Sequence, residues 1–169
     1  MAKFLIFVSL VTVFFLFSEA NATAPRRALS SADTIAAFLV PQNTVRAKLG
    51  LPPLQWSNNL VKFAKSYANQ RRGDCALIHS TSNYGENLFW GKGNQWKISD
   101  AIAAWAAEQA YYTYSTNTCA RGADCTHYTQ MVWRTTQRVG CVKIICNSGD
   151  TFIICNYDPH GNVIGSRPY

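Results

Sequence analysis

Residues 125–133 read C-T-H-Y-T-Q-M-V-W and gather the most informative side chains of the chain into one short stretch. His127 sits there between a cysteine and a short amphipathic run. Three polar residues upstream have side chains that could meet this histidine: His79, Glu86 and Glu108. Downstream, two strand-like runs end in C-N-Y-D-P-H-G-N at residues 155–162. We therefore expect the fold to bring the earlier polar residues and the later strands to His127.

The first 24 residues have the pattern of a secretory signal peptide. Lys3 supplies a positive charge, residues 4–17 form an apolar run, and small residues follow. Three positions are candidates for cleavage: after Ala20, Ala22 or Ala24. If helical, the apolar run spans about 21 Å at ~1.5 Å per residue, short of the ~30 Å hydrocarbon core of a bilayer. A membrane anchor is therefore the weaker interpretation.

Residues 25–169 have the usual length of one domain, and we expect a single monomeric domain. The chain carries 16 Lys and Arg against 9 Asp and Glu, a formal charge of +7. Its basic residues are scattered, with adjacent pairs only at Arg26-Arg27 and Arg71-Arg72. This distribution favours a solvated basic surface over nucleic-acid binding.

All six cysteines lie between residues 75 and 155, behind the predicted signal peptide. An even number of cysteines in an exported chain predicts three disulfides formed in an oxidising compartment. Cys119 and Cys125 close a short loop that contains Gly122, which makes them natural partners. The sequence has no C-x-x-C pair, which argues against a zinc site made of cysteines.

The turn signal N-S-G-D at residues 147–150 predicts a hairpin between two strand-like runs. The two runs are residues 139–146 and 151–157. Folding this hairpin places Cys141 close to Cys155. Cys146 is an odd number of residues from Cys141 and so points to the other face of the sheet. Cys146 is then left to pair with Cys75.

Apolar residues at helical spacing predict three helices. The first ends at Gly50, and Pro41 should be tolerable only in its first turn, where the missing N–H needs no partner. Ser57 is the predicted N-cap of the second helix, and Ser99 that of the third. The three stripes are Phe38, Leu39, Val45 and Leu49; Leu60, Phe63, Ala64, Tyr67 and Ala68; and Ile102, Trp105, Ala106 and Tyr112.

Helices followed by a late hairpin predict an α+β fold in which helices cover a small sheet. Because a lone hairpin is marginally stable, we expect a third strand within residues 85–90. Glu108 falls at the edge of the third helical stripe, so its carboxylate should border the core rather than face open water.

Two longer motifs resemble the signatures of the CAP superfamily. H-Y-T-Q-M-V-W-R-T-T at residues 127–136 is similar to the first signature, and F-I-I-C-N-Y-D-P-H-G-N-V at residues 152–163 is similar to the second. The stretches at residues 68–80 and 84–91 further resemble secreted plant pathogenesis-related proteins of the first class. The resemblance covers residues 35–169, nearly the whole predicted mature chain.

The resemblance implies a three-layer α-β-α sandwich and the residues that staple and line it. It implies the disulfides Cys75–Cys146, Cys119–Cys125 and Cys141–Cys155, the pairing that spacing also favours. It places the cleft tetrad of the family on His79, Glu86, Glu108 and His127.

This tetrad suits a divalent metal such as zinc, and it is also a plausible general acid–base set. Some animal members of the family bind a divalent metal there. The alternative is a buried polar network that ties the helices to the sheet. Because the chain has no G-x-S-x-G elbow and its cysteines should be oxidised, we expect no enzyme and no required cofactor. A metal-dependent hydrolase or protease that uses the tetrad is the alternative function.

The resemblance implies a secreted defence protein that captures a sterol or another lipid and acts at a microbial surface. Residues 88–96 interleave aromatic residues with glycines, and the glycines suggest a mobile loop that could clasp an apolar ligand. The candidate lipid-binding residues are Phe89, Trp90 and Trp96. The alternative is that Phe89 and Trp90 belong to the core.

The closing segment, residues 159–169, contains prolines and glycines that resist regular structure, and no cysteine follows Cys155 to retain it. The resemblance implies that a cut between Asp158 and Pro159 releases this segment as a defence-signalling peptide for a receptor, with mobility as the physical basis. The alternative is that the segment only covers the sheet edge, held by Val163, Ile164 and Tyr169. We expect the protein in the apoplast or the vacuole.

Overall fold

The computed structural model describes residues 30–169, so the predicted signal peptide lies outside the described residues. Within that range the chain forms four α-helices and six strands. The elements are α1 Ser31–Ala47, β1 Gln55–Trp56, α2 Asn58–Gln70, β2 Gly85–Gly91, α3 Ile98–Ala107, a 3-10 turn Glu108–Tyr111, β3 Tyr112–Thr113, β4 Thr118–Cys119, α4 Thr126–Met131, β5 Arg138–Ile145 and β6 Thr151–Asp158. No helix in this part of the chain has the length and apolar character needed to cross a membrane.

The main sheet has four strands in the order β1-β5-β6-β2. The predicted hairpin is β5 and β6, and its register places Cys141 opposite Cys155. The predicted third strand is β2, which pairs antiparallel with β6 along its whole length. β1 pairs parallel with the first two residues of β5 only, and such a short strand has no recognisable sequence pattern.

Two helical layers cover the two faces of this sheet. One core joins α1, α3 and α4 to side chains such as Val139 and Ile153, and the other joins α2 to side chains such as Ile144 and Phe152. Gly140 allows the close approach of α2, because a Cβ there would lie 2.5 Å from the main-chain nitrogen of Val61. The α+β class and the three-layer α-β-α sandwich are confirmed.

All three predicted disulfides are confirmed. They are Cys75–Cys146, Cys119–Cys125 and Cys141–Cys155. Each ties a different pair of regions: the loop after α2 to the end of β5, the β4 strand to the start of α4, and the two strands of the hairpin.

The expectation that Pro41 lies in the first turn of its helix is wrong. The first helix starts at Ser31, ten residues before Pro41, and Ser30 and Asp33 form a capping box at this end. Pro41 therefore lies inside α1, where a proline removes one hydrogen bond and usually costs about 3 kcal/mol. The helix continues because tertiary packing compensates: Phe38, Gln42 and Arg46 on its inner face are fully buried.

The third helix also differs from the prediction at both ends. Ser99 does not cap it; the helix begins at Ile98, and the carboxylate of Asp100 accepts the main-chain N–H of Lys97 at 2.7 Å. At the other end the α-helix stops at Ala107, and Tyr112 belongs to a strand rather than to the helical stripe. The prediction was wrong because apolar residues keep their helical spacing up to Tyr112, although the α-helix changes to a 3-10 turn at Glu108.

Arg46 is the largest fully buried side chain among the described residues. Its Nε donates to the carbonyl of Pro52 at 2.8 Å, and its Nη1 donates to the carbonyls of Met131 and Trp133 at 2.9 and 2.8 Å. Its Nη2 donates to the carbonyl of Thr136 at 3.2 Å. Burial lowers the pKa of Arg46 to about 10, which leaves the guanidinium charged at neutral pH.

Replacing Arg46 by methionine should destabilise the domain strongly. The change removes the donor of four main-chain carbonyls, three of them in buried hydrogen bonds. Each unsatisfied buried group costs about 1–3 kcal/mol, so we expect a loss of at least about 3 kcal/mol. Urea unfolding with the disulfides intact measures this loss. Lys48→Met, on the exposed end of the same helix, is the control and should stay within about 0.5 kcal/mol of the parent. Equal stabilities of the two variants would contradict the structural role of Arg46.

Candidate functional site

The first histidine–carboxylate pair joins His79 to Glu86 at the start of β2. His79 Nδ1 lies 2.9 Å from Glu86 Oε1, which also accepts the main-chain N–H of Ser80 at 2.9 Å. Glu86 Oε2 accepts the Ser80 hydroxyl at 2.7 Å and the amide of Asn156, its neighbour on β6, at 3.0 Å. Both carboxylate oxygens are therefore fully engaged.

The two members of this pair differ in exposure, and their pKa values are shifted in opposite directions. The Glu86 side chain is 5% exposed and that of His79 is 63% exposed. Burial acts to raise the pKa of Glu86, but hydrogen bonds from His79, Ser80 and Asn156 outweigh it, and the pKa is lowered. The hydrogen bond to Glu86 raises the pKa of His79, against the smaller effect of its own partial burial. The pair therefore favours its doubly charged form.

The second pair joins Glu108 to His127. Glu108 is the first residue of the 3-10 turn, and its Oε1 lies 2.6 Å from His127 Nδ1. Its Oε2 accepts the main-chain N–H groups of His127 and Tyr128, each at 3.0 Å. Glu108 therefore satisfies the free N–H groups in the first turn of α4 while it orients the imidazole. The His127 ring also stacks on Trp105, with centroids 6.0 Å apart.

Asp124 lies beside the second pair. This residue was not predicted from the sequence as part of the site. Its carboxylate lies 4.0 Å from His127 Nδ1 and accepts the Thr126 hydroxyl at 2.6 Å. Burial acts to raise the pKa of Asp124, but hydrogen bonds from Thr126 lower it. An aspartate two residues before a threonine at a helix start could have signalled this local cap.

The predicted tetrad forms two neighbouring pairs rather than one four-residue cluster. Among residues 30–169, the set of three or more potential ligand atoms within 4.8 Å of one another is Glu108, Asp124 and His127. Asn87, which follows Glu86 on β2, donates to the main-chain oxygen of His127 at 3.0 Å and so links β2 to α4. In both pairs the carboxylate contacts Nδ1 of the histidine.

The aromatic residues predicted to bind lipid do not share one face. Phe89 packs against the core and meets Trp96 edge to face at 5.5 Å, whereas Trp90 is 43% exposed. Contrary to the expected mobility, hydrogen bonds hold the loop that follows β2 in place. Gly93 donates its N–H to Asp150 at 2.8 Å, and its carbonyl accepts the Thr151 hydroxyl at 2.8 Å.

Two apolar grooves lie next to α1, and neither was predicted. The edge groove, about 600 Å³, lies where β1 leaves most of β5 uncovered. The α1–α3 groove, about 810 Å³, lies between the helices that name it. Both are bordered by Ile98 and Lys143. Apolar side chains that line the edge groove include Ile35, Phe38, Trp56, Val61 and Val142.

The closing segment is irregular, as predicted, and no disulfide retains it, but noncovalent contacts hold it against the domain. Pro168 is buried and Tyr169 is partly buried, with its ring stacked on Tyr114. Of the three residues expected to hold the segment, Val163 and Ile164 are exposed, and Ile164 is 100% exposed. Local composition could not reveal these contacts, because the residues that make them are distant in the sequence.

A small sheet covered on both faces by helices, stapled by three disulfides and carrying two histidine–carboxylate pairs, defines a CAP domain. The chain belongs to the cysteine-rich secretory protein family, whose sequence model matches residues 40–157.

Plant proteins are among the relatives of this chain. The chain is 51% identical over 134 residues to pathogenesis-related protein PRMS of Zea mays, covering 78% of this chain and 80% of the relative. It is 52% identical over 133 residues to pathogenesis-related protein PR-1 of Medicago truncatula, covering 78% and 77%. These relatives support a role in plant defence. They belong to a group not known as enzymes, so the alternative of a hydrolase or protease gains no support.

Solved structures share the fold. Venom allergen-like protein 4 of Schistosoma mansoni matches with a TM-score of 0.63 and 29% identity, covering 83% of this chain and 95% of that one. Na-ASP-1 matches with a TM-score of 0.67 and 22% identity, covering 79% and 40%. The disulfides and the plant relatives together support a secreted protein.

The pKa shifts of the first pair, His79 and Glu86, predict the pH range in which this pair stabilises the fold. The raised pKa of His79 gives a contribution that is complete below its ordinary value of 6.5 and is lost as pH rises through the raised value. The lowered pKa of Glu86 gives a contribution that is present above its ordinary 4.5 and is lost as pH falls through the lowered value. The pair therefore stabilises most between pH 4.5 and 6.5.

An NMR titration of the His79 ring in metal-free buffer should show a pKa above 6.5. Glu86→Gln should move that pKa down, because it removes the carboxylate that favours the imidazolium. The control is His160→Gln, which should leave the His79 titration unchanged. The Nδ1 of His160 contacts the main-chain oxygen of Gly161 and no carboxylate. If His79 titrates identically in the parent and in Glu86→Gln, the ion pair does not exist in solution.

Proposed function

We propose that this plant defence protein acts by binding a sterol or a similar lipid in the edge groove. The observation that carries the proposal is the mainly apolar lining of this groove next to α1, in which Lys143 is the one cation among the lining residues. The volume of about 600 Å³ lies in the range of small-molecule sites, which run from about 300 to 1,000 Å³. Such a lining gains free energy by removing an apolar ligand from water.

Lys143 gives the groove a polar end that suits a ligand with one hydroxyl group. Its Nζ donates to the main-chain oxygen of Trp96, which leaves further N–H donors of the ammonium group free. Burial lowers the pKa of Lys143, so a polar ligand atom would meet a partly desolvated donor. An apolar body with one hydroxyl is the chemistry of a sterol.

Sterol binding to the purified protein should depend on the edge groove. Ile35→Glu places a carboxylate in the apolar lining and should weaken binding by at least about tenfold, because the charge must be desolvated when the ligand enters. A labelled sterol presented in detergent micelles, with affinity measured by competition, gives the readout. Near-ultraviolet circular dichroism checks that the variant is folded.

Trp90→Ala is the matched control, because Trp90 belongs to the aromatic surface predicted from the sequence and does not line the edge groove. It should bind sterol as the parent does. If Trp90→Ala loses binding and Ile35→Glu retains it, the ligand sits on the aromatic surface and the edge-groove proposal fails.

We also propose that the second histidine–carboxylate pair accepts a divalent metal such as zinc, without being required for folding. The observation that favours it is the convergence of Glu108, Asp124 and His127 within 4.8 Å. Imidazole and carboxylate are ligand types that zinc accepts. A metal bound there would supply a positive charge that offsets the two carboxylates.

Millimolar zinc should raise the melting temperature, since a ligand of the folded state at 100 times its Kd adds about 2.7 kcal/mol of stability. His127→Ala should abolish the shift, whereas His160→Ala, outside this cluster, should preserve it. Differential scanning calorimetry measures both. A parent protein that shows no shift would leave the pairs as a structural polar network.

A third element of the proposed function is the cut between Asp158 and Pro159, outside the cell in the apoplast or in the vacuole, that yields a peptide for a receptor. Pro159 and His160 are exposed where β6 ends, which supports access for a protease. Arg138 binds the Asp158 carboxylate at 2.7 Å and fixes the residue that precedes the cut.

A further inference from the structure

We propose that the closing segment is a peptide bound in a groove built for it, so that a cut between Asp158 and Pro159 does not by itself release residues 159–169. The groove is formed by α4, residues 133–136 and the β3–β4 hairpin. Two anchors hold the segment, one at residues 161–162 and one at residues 166–169. The proposal stands whether or not the cut occurs in the plant.

The first anchor requires glycine at position 161. The main-chain N–H of Gly161 donates to Gln130 Oε1 at 2.8 Å, and Gln130 is itself buried and donates to the Thr136 hydroxyl at 3.3 Å. A Cβ on Gly161 would lie 2.7 Å from Trp133 Cγ and 2.9 Å from its Cβ. Any side chain larger than that of glycine at position 161 would therefore overlap the Trp133 side chain.

Asn162 completes the first anchor with both ends of its amide. Its Oδ1 accepts the Thr129 hydroxyl at 2.7 Å, and its Nδ2 donates to the main-chain oxygen of Thr126 at 2.9 Å. Its φ of 56° lies in the left-handed region, which asparagine tolerates better than most residues. The groove thus recognises the dipeptide Gly-Asn by shape, hydrogen bonding and backbone conformation together.

The second anchor recognises Pro168 and Tyr169. Pro168 is buried, and its carbonyl accepts the main-chain N–H of Arg134 at 2.6 Å. The Tyr169 ring stacks on Tyr114 with centroids 4.7 Å apart and planes 9° apart, and its hydroxyl lies 3.3 Å from that of Tyr128. The Tyr114 hydroxyl donates to the main-chain oxygen of Tyr169.

Contacts from the β3–β4 hairpin extend the second anchor. Arg167 donates to the carbonyl of Ser115 at 2.8 Å and lies 5.4 Å over the ring of Tyr114. Asn117 donates to the carbonyl of Ser166 at 3.1 Å. Between the two anchors, Ile164 is fully exposed, so the middle of the segment bridges the anchors without contributing to them.

None of these anchors depends on the peptide bond at residue 158. The last cysteine is Cys155, so the segment has no covalent link to the domain apart from that bond. The hairpin that receives the second anchor is joined to the start of α4 by Cys119–Cys125, and this disulfide keeps the two sides of the groove together after a cut. Release therefore requires the anchors to open as a separate step.

The test uses the full chain with a site-specific protease sequence inserted between Asp158 and Pro159. After cleavage, native size-exclusion chromatography with mass spectrometry should recover the peptide in the protein peak. Denaturant with the disulfides intact should move it to the low-mass fraction. A peptide found in the low-mass fraction under native conditions would overturn the proposal.

Exchange against labelled synthetic peptides of residues 159–169 tests the anchors without altering the fold. The parent peptide should displace the cleaved segment, and an Ile164→Ala peptide should do so equally well. A Gly161→Ala peptide should be weaker by at least about tenfold, because its Cβ overlaps the Trp133 side chain. Equal exchange by all three peptides would show that retention is nonspecific and would refute the groove.

Discussion

The structure depends on one buried cation that has no carboxylate partner among the described residues. The Arg46 guanidinium binds four main-chain carbonyls, from the connector after α1, from the end of α4 and from the turn before β5. A planar guanidinium with five N–H donors can serve several carbonyls at once, which an ammonium group cannot do in the same geometry. The carbonyls at the C-terminal end of α4 carry the negative end of the helix dipole, so the charge and the dipole stabilise each other.

The short helix α4 owes both of its ends to residues outside it. Glu108 accepts the N–H groups in its first turn, and Arg46 binds carbonyls at its last turn. A six-residue helix is too short to be stable alone, so these external contacts decide where it lies. The same helix presents His127 to the carboxylate pair and Gln130 to the closing segment. The candidate metal site and the peptide groove therefore share one support, and a change that displaces α4 should disturb both.

Features with local causes could be predicted from the sequence, and features with distant causes could not. The N-cap at Ser57 and the turn at residues 147–150 depend on neighbouring residues, and from the turn follow the hairpin register and the disulfide pairing. Pro41 was misplaced because packing from elsewhere in the domain outweighs its local cost. Nothing in the spacing marks Arg46 as buried, since its four acceptors are main-chain atoms of any residue type. The site residues were found through motif resemblance, while the grooves arise only when separate elements meet.

The carboxylates of the domain explain how a basic surface arises without basic clusters. Within residues 30–169, every Asp and Glu side chain except that of Asp158 accepts a hydrogen bond from a nearby cap, loop or histidine, and only Asp74 and Asp158 pair with an arginine. Acidic residues are thus used to fix local structure, and most surface cations in this part of the chain have no carboxylate beside them. Such a surface attracts anionic material over roughly one Debye length, about 8 Å at physiological salt. This attraction is nonspecific, so selectivity for a ligand has to come from shape and burial in the grooves.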